Sequence, residues 1–123
     1  MEERIRAALA RDRTVDITTI GRKTGAPRRI EIWYLRLGDK FYITGTPGPR
    51  DWYANLLAHP EFTFHLKGRV RADLPARAIP ITDPAERRAI LERLIDTMGR
   101  RSQLDAWVRG SPLVEVVFDV EAR

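Results

Sequence analysis

Thr19-Ile20-Gly21-Arg22-Lys23-Thr24-Gly25-Ala26-Pro27-Arg28-Arg29 sets four cationic side chains and two glycines between two apolar runs. Glycine adopts backbone angles that are costly for other residues. A tight turn at Gly21 and Gly25 can therefore aim consecutive N–H groups at an anion. Arg22, Lys23 and Arg28 add charge-assisted contacts, with arginine suited to two-point contact. Thr24 adds a hydroxyl donor. Arg29 points away from Arg28 if a strand has already begun. The chemistry on offer is the binding of a phosphate or carboxylate. A solvated hairpin tip has the same composition, so the residues alone leave both readings open. Neither GxxxxGK[ST] nor GxGxxG is present, so a P-loop or Rossmann site is not supported.

Thr44-Gly45-Thr46-Pro47-Gly48-Pro49-Arg50-Asp51-Trp52-Tyr53 is the second unusual segment. It could form the other wall of the same site, with its prolines as a lid. Elsewhere the chemistry is sparse. The two histidines, His59 and His65, lack the further ligands and spacing of a catalytic zinc site, so no metal is expected. The chain has no cysteine, which excludes disulfides, thiolate nucleophiles and thiolate metal sites. Trp33, Tyr34, Tyr53 and Trp107 are available aromatics. Core or interface packing is the simpler reading of Trp107, and helix packing that of Tyr53. Of the neighbours Trp33 and Tyr34, one can line a pocket while the other packs elsewhere. No catalytic residue is assigned.

The elements that must hold these groups follow from pattern. Residues 3–11 read as a short helix, and Val15–Ile20, rich in β-branched residues, as a strand. Arg28–Leu37 reads as a second strand, and Gly38-Asp39 reverses the chain into Lys40–Gly45. Asp51 is a candidate cap for a helix over Trp52–Ala58. Glu61–Lys67 alternates like a half-buried strand, with a further strand over Arg69–Leu74. Pro75–Thr82 has no clear assignment. Asp83-Pro84 with Glu86 is a helix start, followed by an apolar stripe that ends at Gly99. A short helix around Trp107, closed by Gly110, and a strand over Leu113–Val120 complete the chain.

The 123 residues amount to one domain by length. The expected fold is mainly β with helices: one split antiparallel barrel over 1–123, with a helical insertion at about 83–109. Regular strand–helix alternation is absent, which argues against a doubly wound sheet, and barrel closure removes exposed edges. The formal charge is +5. From Arg13 to Arg71 eleven Lys or Arg face five Asp or Glu, which favours an anionic partner. Nucleic acid is not the expected one, because recognition-helix and RNA-binding sheet motifs are missing. No run approaches the ~20 apolar residues of a membrane span, and Met1-Glu2-Glu3-Arg4 leads into no signal-like segment. A cytoplasmic location is the default expectation. A small core and the aromatics Trp33, Trp52 and Trp107 suggest a homodimer.

Thr18-Thr19-Ile20-Gly21-Arg22-Lys23-Thr24-Gly25-Ala26-Pro27-Arg28, followed by Trp52-Tyr53-Ala54-Asn55-Leu56, strongly resembles the deazaflavin-dependent nitroreductase family, over about residues 13–71. The resemblance implies a flavin-type split barrel. It also implies transfer of a hydride from reduced deazaflavin, coenzyme F420, to a small electron-poor acceptor: a quinone, nitro compound or activated alkene. By position, Arg22, Lys23, Thr24 and Arg28 would hold the phosphate-containing tail. Thr44, Gly45, Thr46 and Gly48 would lie beside the cofactor, and Arg50 would meet its acidic end. Asn55 would contact the cofactor or support its helix. The chain departs from the family at Glu31, where proline is frequent, and at Thr46–Arg50, where a lysine-containing loop is usual. Those departures leave FMN as an alternative cofactor, and a noncatalytic FMN-, haem- or lipid-binding split barrel as the alternative function.

Overall fold

The computed structural model describes residues 1–119. Seven strands form one antiparallel sheet: β1 (Thr14–Ile20), β2 (Pro27–Trp33), β3 (Leu35–Leu37), β4 (Lys40–Thr44), β5 (Glu61–Lys67), β6 (Arg71–Pro80) and β7 (Leu113–Phe118). Their order across the sheet is β2-β1-β5-β6-β7-β4-β3. The two outermost strands, β2 and β3, are separated in sequence by Tyr34 alone. Two edges tethered by one residue force the sheet to curl round on itself. The result is a barrel left split between β2 and β3.

Arg28–Leu37 is therefore not one strand. Its apolar content is continuous, but Tyr34 leaves the ladder. The Tyr34 hydroxyl donates to the Leu9 carbonyl at 2.7 Å, and its N–H donates to the Arg13 carbonyl at 3.1 Å. Burial, and then the Asp12 carboxylate, push this phenol well above its ordinary pKa. Its ring packs edge-on against Phe64, which meets Phe118 in the same way. Together with Val15, Ile17, Ile43 and Leu56 they fill the barrel. The helix α1 (Glu3–Arg11) covers one end with Ala8 and Leu9.

β6 runs on through Pro75 to Pro80, where the sequence offered no strand. Proline cannot donate to a ladder, but the β7 ladder begins one residue later, at Ala76 opposite Phe118. Pro75 thus removes no donor that β7 needs. Between β6 and β7 lie α3 (Pro84–Met98), a short 3-10 turn and α4 (Leu104–Gly110). Asp83 caps α3 by accepting from the Glu86 N–H at 2.9 Å. Gly99 ends it with φ +69°, an angle that favours glycine. Leu91, Leu94, Ile95 and Trp107 form a second core with Tyr42, Ile81 and Leu113. The last described strand stops at Phe118, and Val120 lies outside the described residues.

Candidate functional site

The hairpin between β1 and β2 builds the first site. Gly21 N–H donates to the Ala26 carbonyl and Gly25 N–H to the Gly21 carbonyl, each at 2.8 Å. Gly25 has φ +72°, the conformation that calls for glycine. Thr24 Oγ1 accepts from the Ala26 N–H at 3.2 Å. The helix α2 (Asp51–Ala58) lies across this loop. Its buried Asn55 is the joint: Oδ1 accepts from the Arg22 N–H at 3.1 Å and from Arg22 Nη1 at 3.0 Å. Asn55 Nδ2 donates to Thr19 Oγ1 at 3.2 Å. Arg22 Nη2 also reaches Asp51 at 3.4 Å.

A groove of about 510 Å³ opens between hairpin and helix. Arg22, Lys23, Thr24 and Arg28 line it, as do Thr19, Ile30, Asp51, Trp52 and Asn55. Lys23 and Arg28 are exposed, and neither has a carboxylate partner among the described residues. The β1–β2 register pairs Thr19 with Arg28 and Thr18 with Arg29. Arg28 therefore shares the face of Thr19, and Arg29 lies opposite. Arg29 Nε is bonded to Asp16 at 3.0 Å on the outer face. Glu31 shares that outer face and pairs with Lys67, so it places no negative charge in the groove. Lys67 also bonds Asp16 at 2.7 Å. This bond, above the other contacts, holds the Asp16 carboxyl below the usual carboxylate range. The Lys67 ammonium is raised by Asp16 and then by Glu31.

Thr44, Gly45 and Thr46 do not line this groove. They border a second one, of about 850 Å³, with Trp33, Leu35, Leu94 and Trp107. The second unusual segment is thus divided: Asp51 and Trp52 at its end wall the hairpin groove, whereas Thr44–Thr46 border the other one. The Pro47–Pro49 loop is no lid over the hairpin either. Gly48 N–H donates to the Gly110 carbonyl at 3.1 Å, tying the loop to the end of α4. Arg50 turns back into its own loop: it donates to the Pro49 carbonyl, and to both the carbonyl and the hydroxyl of Thr46. It stands where an α2 cap would, without a side-chain cap, and Asp51 is already helical.

The aromatics divide as packing demands. Trp33 is 67% exposed, whereas Tyr34, Trp52 and Trp107 are buried. Tyr53 is half-buried and packs edge-on against Trp52. His65 is held between Asp73 and Thr18, at 2.7 Å each, and no cluster of metal-ligating side chains occurs among the described residues. The sequence reading missed Thr19 and Ile30 as groove residues, and placed Asp51 and Trp52 in the second wall without giving either a contact. Alternation about the buried Ile17 was the signal available for Thr19 and Ile30. Nothing local in the sequence announces the Asn55–Thr19 bond, which spans 36 positions.

The split-barrel fold is shared with solved proteins. A conserved hypothetical protein from Mycobacterium tuberculosis superposes with a TM-score of 0.72 at 20% identity, over 97% of this chain and 81% of that one. A structure described as an F420 reductase gives 0.66 at 19% identity, over 98% and 97%. A structure described as an F420-H2 dependent reductase gives 0.58 at 21%, over 84% and 92%. The sequence profile of the F420H(2)-dependent quinone reductase family matches residues 4–99, and the chain belongs to that family. It is a deazaflavin-dependent reductase, and coenzyme F420 is its cofactor.

Proposed function

We propose that this reductase grips the acidic tail of F420 with Lys23 and Arg28 in the hairpin groove. The observation that carries this reading is their freedom: two exposed cations border a groove and have no carboxylate partner among the described residues. The donor set suits a phosphate, with one point charge, one planar fork and the Thr24 hydroxyl. Arg22 has a different part. Asn55 and Asp51 hold it, so it fixes the loop and adds positive potential. Asn55 supports rather than grips.

From Arg28 to Trp33, β2 rises five residue steps, about 17 Å at ~3.3 Å each. Its outer edge pairs with no strand among the described residues. An elongated cofactor can follow that open edge, with its tail at the hairpin and its ring in the larger groove beside Thr44, Gly45 and Thr46. Reduced F420 supplies the hydride; the chain's residues bind, align and shield it. Alignment of donor and acceptor carbons is the protein's main contribution to rate. Tyr34 keeps its proton, donated to Leu9, and takes no part in proton transfer.

A quinone is the acceptor we favour, on the family's activity. The protein is read as a cytoplasmic homodimer. Exposed Trp33 and Ile30 on an edge strand support the dimer, and no helix among the described residues is long and apolar enough to cross a membrane. The test of the tail grip is equilibrium titration of F420 against wild type and a Lys23→Gln/Arg28→Gln variant. FMN serves as the comparison ligand. Weaker F420 binding in a folded variant supports the grip; equal binding refutes it.

A further inference from the structure

The larger groove carries a charge pattern that the cofactor reading does not use. Leu35 and Met98 give it an apolar wall, backed by the buried Leu94 and Trp107, with the exposed Trp33 at one side. Arg13, Arg36 and Arg100 also line it, and no aspartate or glutamate among the described residues does. All three arginines are exposed. Arg36 donates through Nε to the Gly38 carbonyl at 2.6 Å, which leaves its terminal nitrogens for other contacts. Arg13 and Arg100 have no carboxylate partner among the described residues, whereas their neighbours Arg11 and Arg101 are paired, with Asp12 and Asp96. Three like charges thus line one groove with an apolar wall. They create a potential that attracts an anion.

We propose that the acceptor reduced here is an amphipathic anion. Its flat apolar body lies among Trp33, Leu35 and Met98, and a carboxylate or sulfonate substituent meets Arg13 and Arg100. The proposal rests on the reading that the ring of F420 enters this groove. The electron balance is complete for a quinone acceptor. Reduced F420 gives a hydride to the quinone and releases one proton to solvent, the quinol anion takes one proton up from solvent, and a quinol and oxidised F420 result. The arginines take no part in bond making. They select and orient the acceptor, because guanidinium–anion contacts are directional and charge-assisted.

The test uses two probes of similar apolar body, naphthoquinone sulfonate and menadione. Binding of each to the protein without cofactor is measured by calorimetry, and F420 affinity is measured separately. Wild type is expected to bind the sulfonate about tenfold more tightly than menadione, the size of one charge-assisted contact. In Arg13→Gln/Arg100→Gln that advantage falls to within about twofold, with F420 affinity retained. Equal binding of both probes by wild type overturns the proposal without need of a variant. A sulfonate preference that survives in the variant overturns the assignment to these arginines. Loss of F420 affinity in the variant overturns it too, by giving the arginines to the cofactor tail. Wild type that prefers the sulfonate but binds no F420 strikes the cofactor reading, and leaves an anion site in the groove.

Discussion

The division of labour among the cations of the hairpin decides what each substitution does. Arg22 is a structural cation, engaged by Asn55 and Asp51. Removal of its side chain takes one of two donors from Asn55 Oδ1, the backbone N–H remaining, and is expected to loosen both fold and binding. Lys23 and Arg28 are free to act on a ligand. Arg28→Gln is expected to weaken F420 binding about tenfold or more, on the scale of a lost charge-assisted contact. Its melting temperature should stay close to wild type, because the exposed guanidinium supports no neighbour. Isothermal titration and thermal denaturation on the same sample separate the two effects. Asn55→Ala should do the reverse. Burial leaves the Thr19 hydroxyl and the Arg22 N–H without their partner, at about 1–3 kcal/mol each. A clear fall in melting temperature is the expected readout. The sequence alone marks Asn55 by its place in the Trp-Tyr-Ala-Asn-Leu run. It does not say whether Asn55 faces ligand or loop, because that depends on Thr19 and Arg22 arriving from a distant hairpin.

The helical insertion positions the larger groove, and Arg87 is its peg. This buried guanidinium donates to four carbonyls, those of Ile81, Trp107, Val108 and Ser111. It thereby ties α3 to α4 and to the entry of β7. Arg87→Met keeps the length of the side chain but leaves those acceptors unmet. Several kcal/mol of destabilisation is expected, at about 1–3 per orphaned buried group, seen as a large drop in denaturant midpoint. Asp83→Ala should cost about 1 kcal/mol as a lost cap. The cap was legible, since Asp-Pro with glutamate three residues after the aspartate is local chemistry. Arg87 was not, because an arginine on a charged helix reads as a solvated face until four carbonyls from other segments surround it. Tyr34 teaches the same lesson. Its run is apolar and strand-like, and only the curl of the sheet makes it leave the ladder. Barrel periodicity survived translation into structure; the points where strands break depend on contacts far along the chain.

At the scale of the whole molecule, charge is sorted by face. The outer face of β1, β2 and β5 pairs Arg29, Lys67, Asp16 and Glu31 with one another. The groove face leaves Lys23 and Arg28 unspent. Asp16 sits below its ordinary pKa, so its contribution is present above the carboxylate range and lost as pH falls through its folded value. Lys67 sits above its ordinary value, so its contribution is present below about 10.5 and lost as pH rises through the folded one. The network is therefore constant across neutral pH. The melting-temperature difference between wild type and Lys67→Met should shrink in acid below the usual value of 3.8 for Asp16. Self-association has a narrower basis than the aromatic count suggested, since Trp52 and Trp107 are core. Trp33→Ser is expected to shift sedimentation velocity toward monomer, and an unchanged distribution would place the contact elsewhere. The role of the hairpin groove is decided by the dissociation constant of F420 for wild type and for Lys23→Gln/Arg28→Gln at fixed salt. A folded variant that binds at least about tenfold more weakly is expected. Equal affinity in a variant of unchanged melting temperature would contradict it.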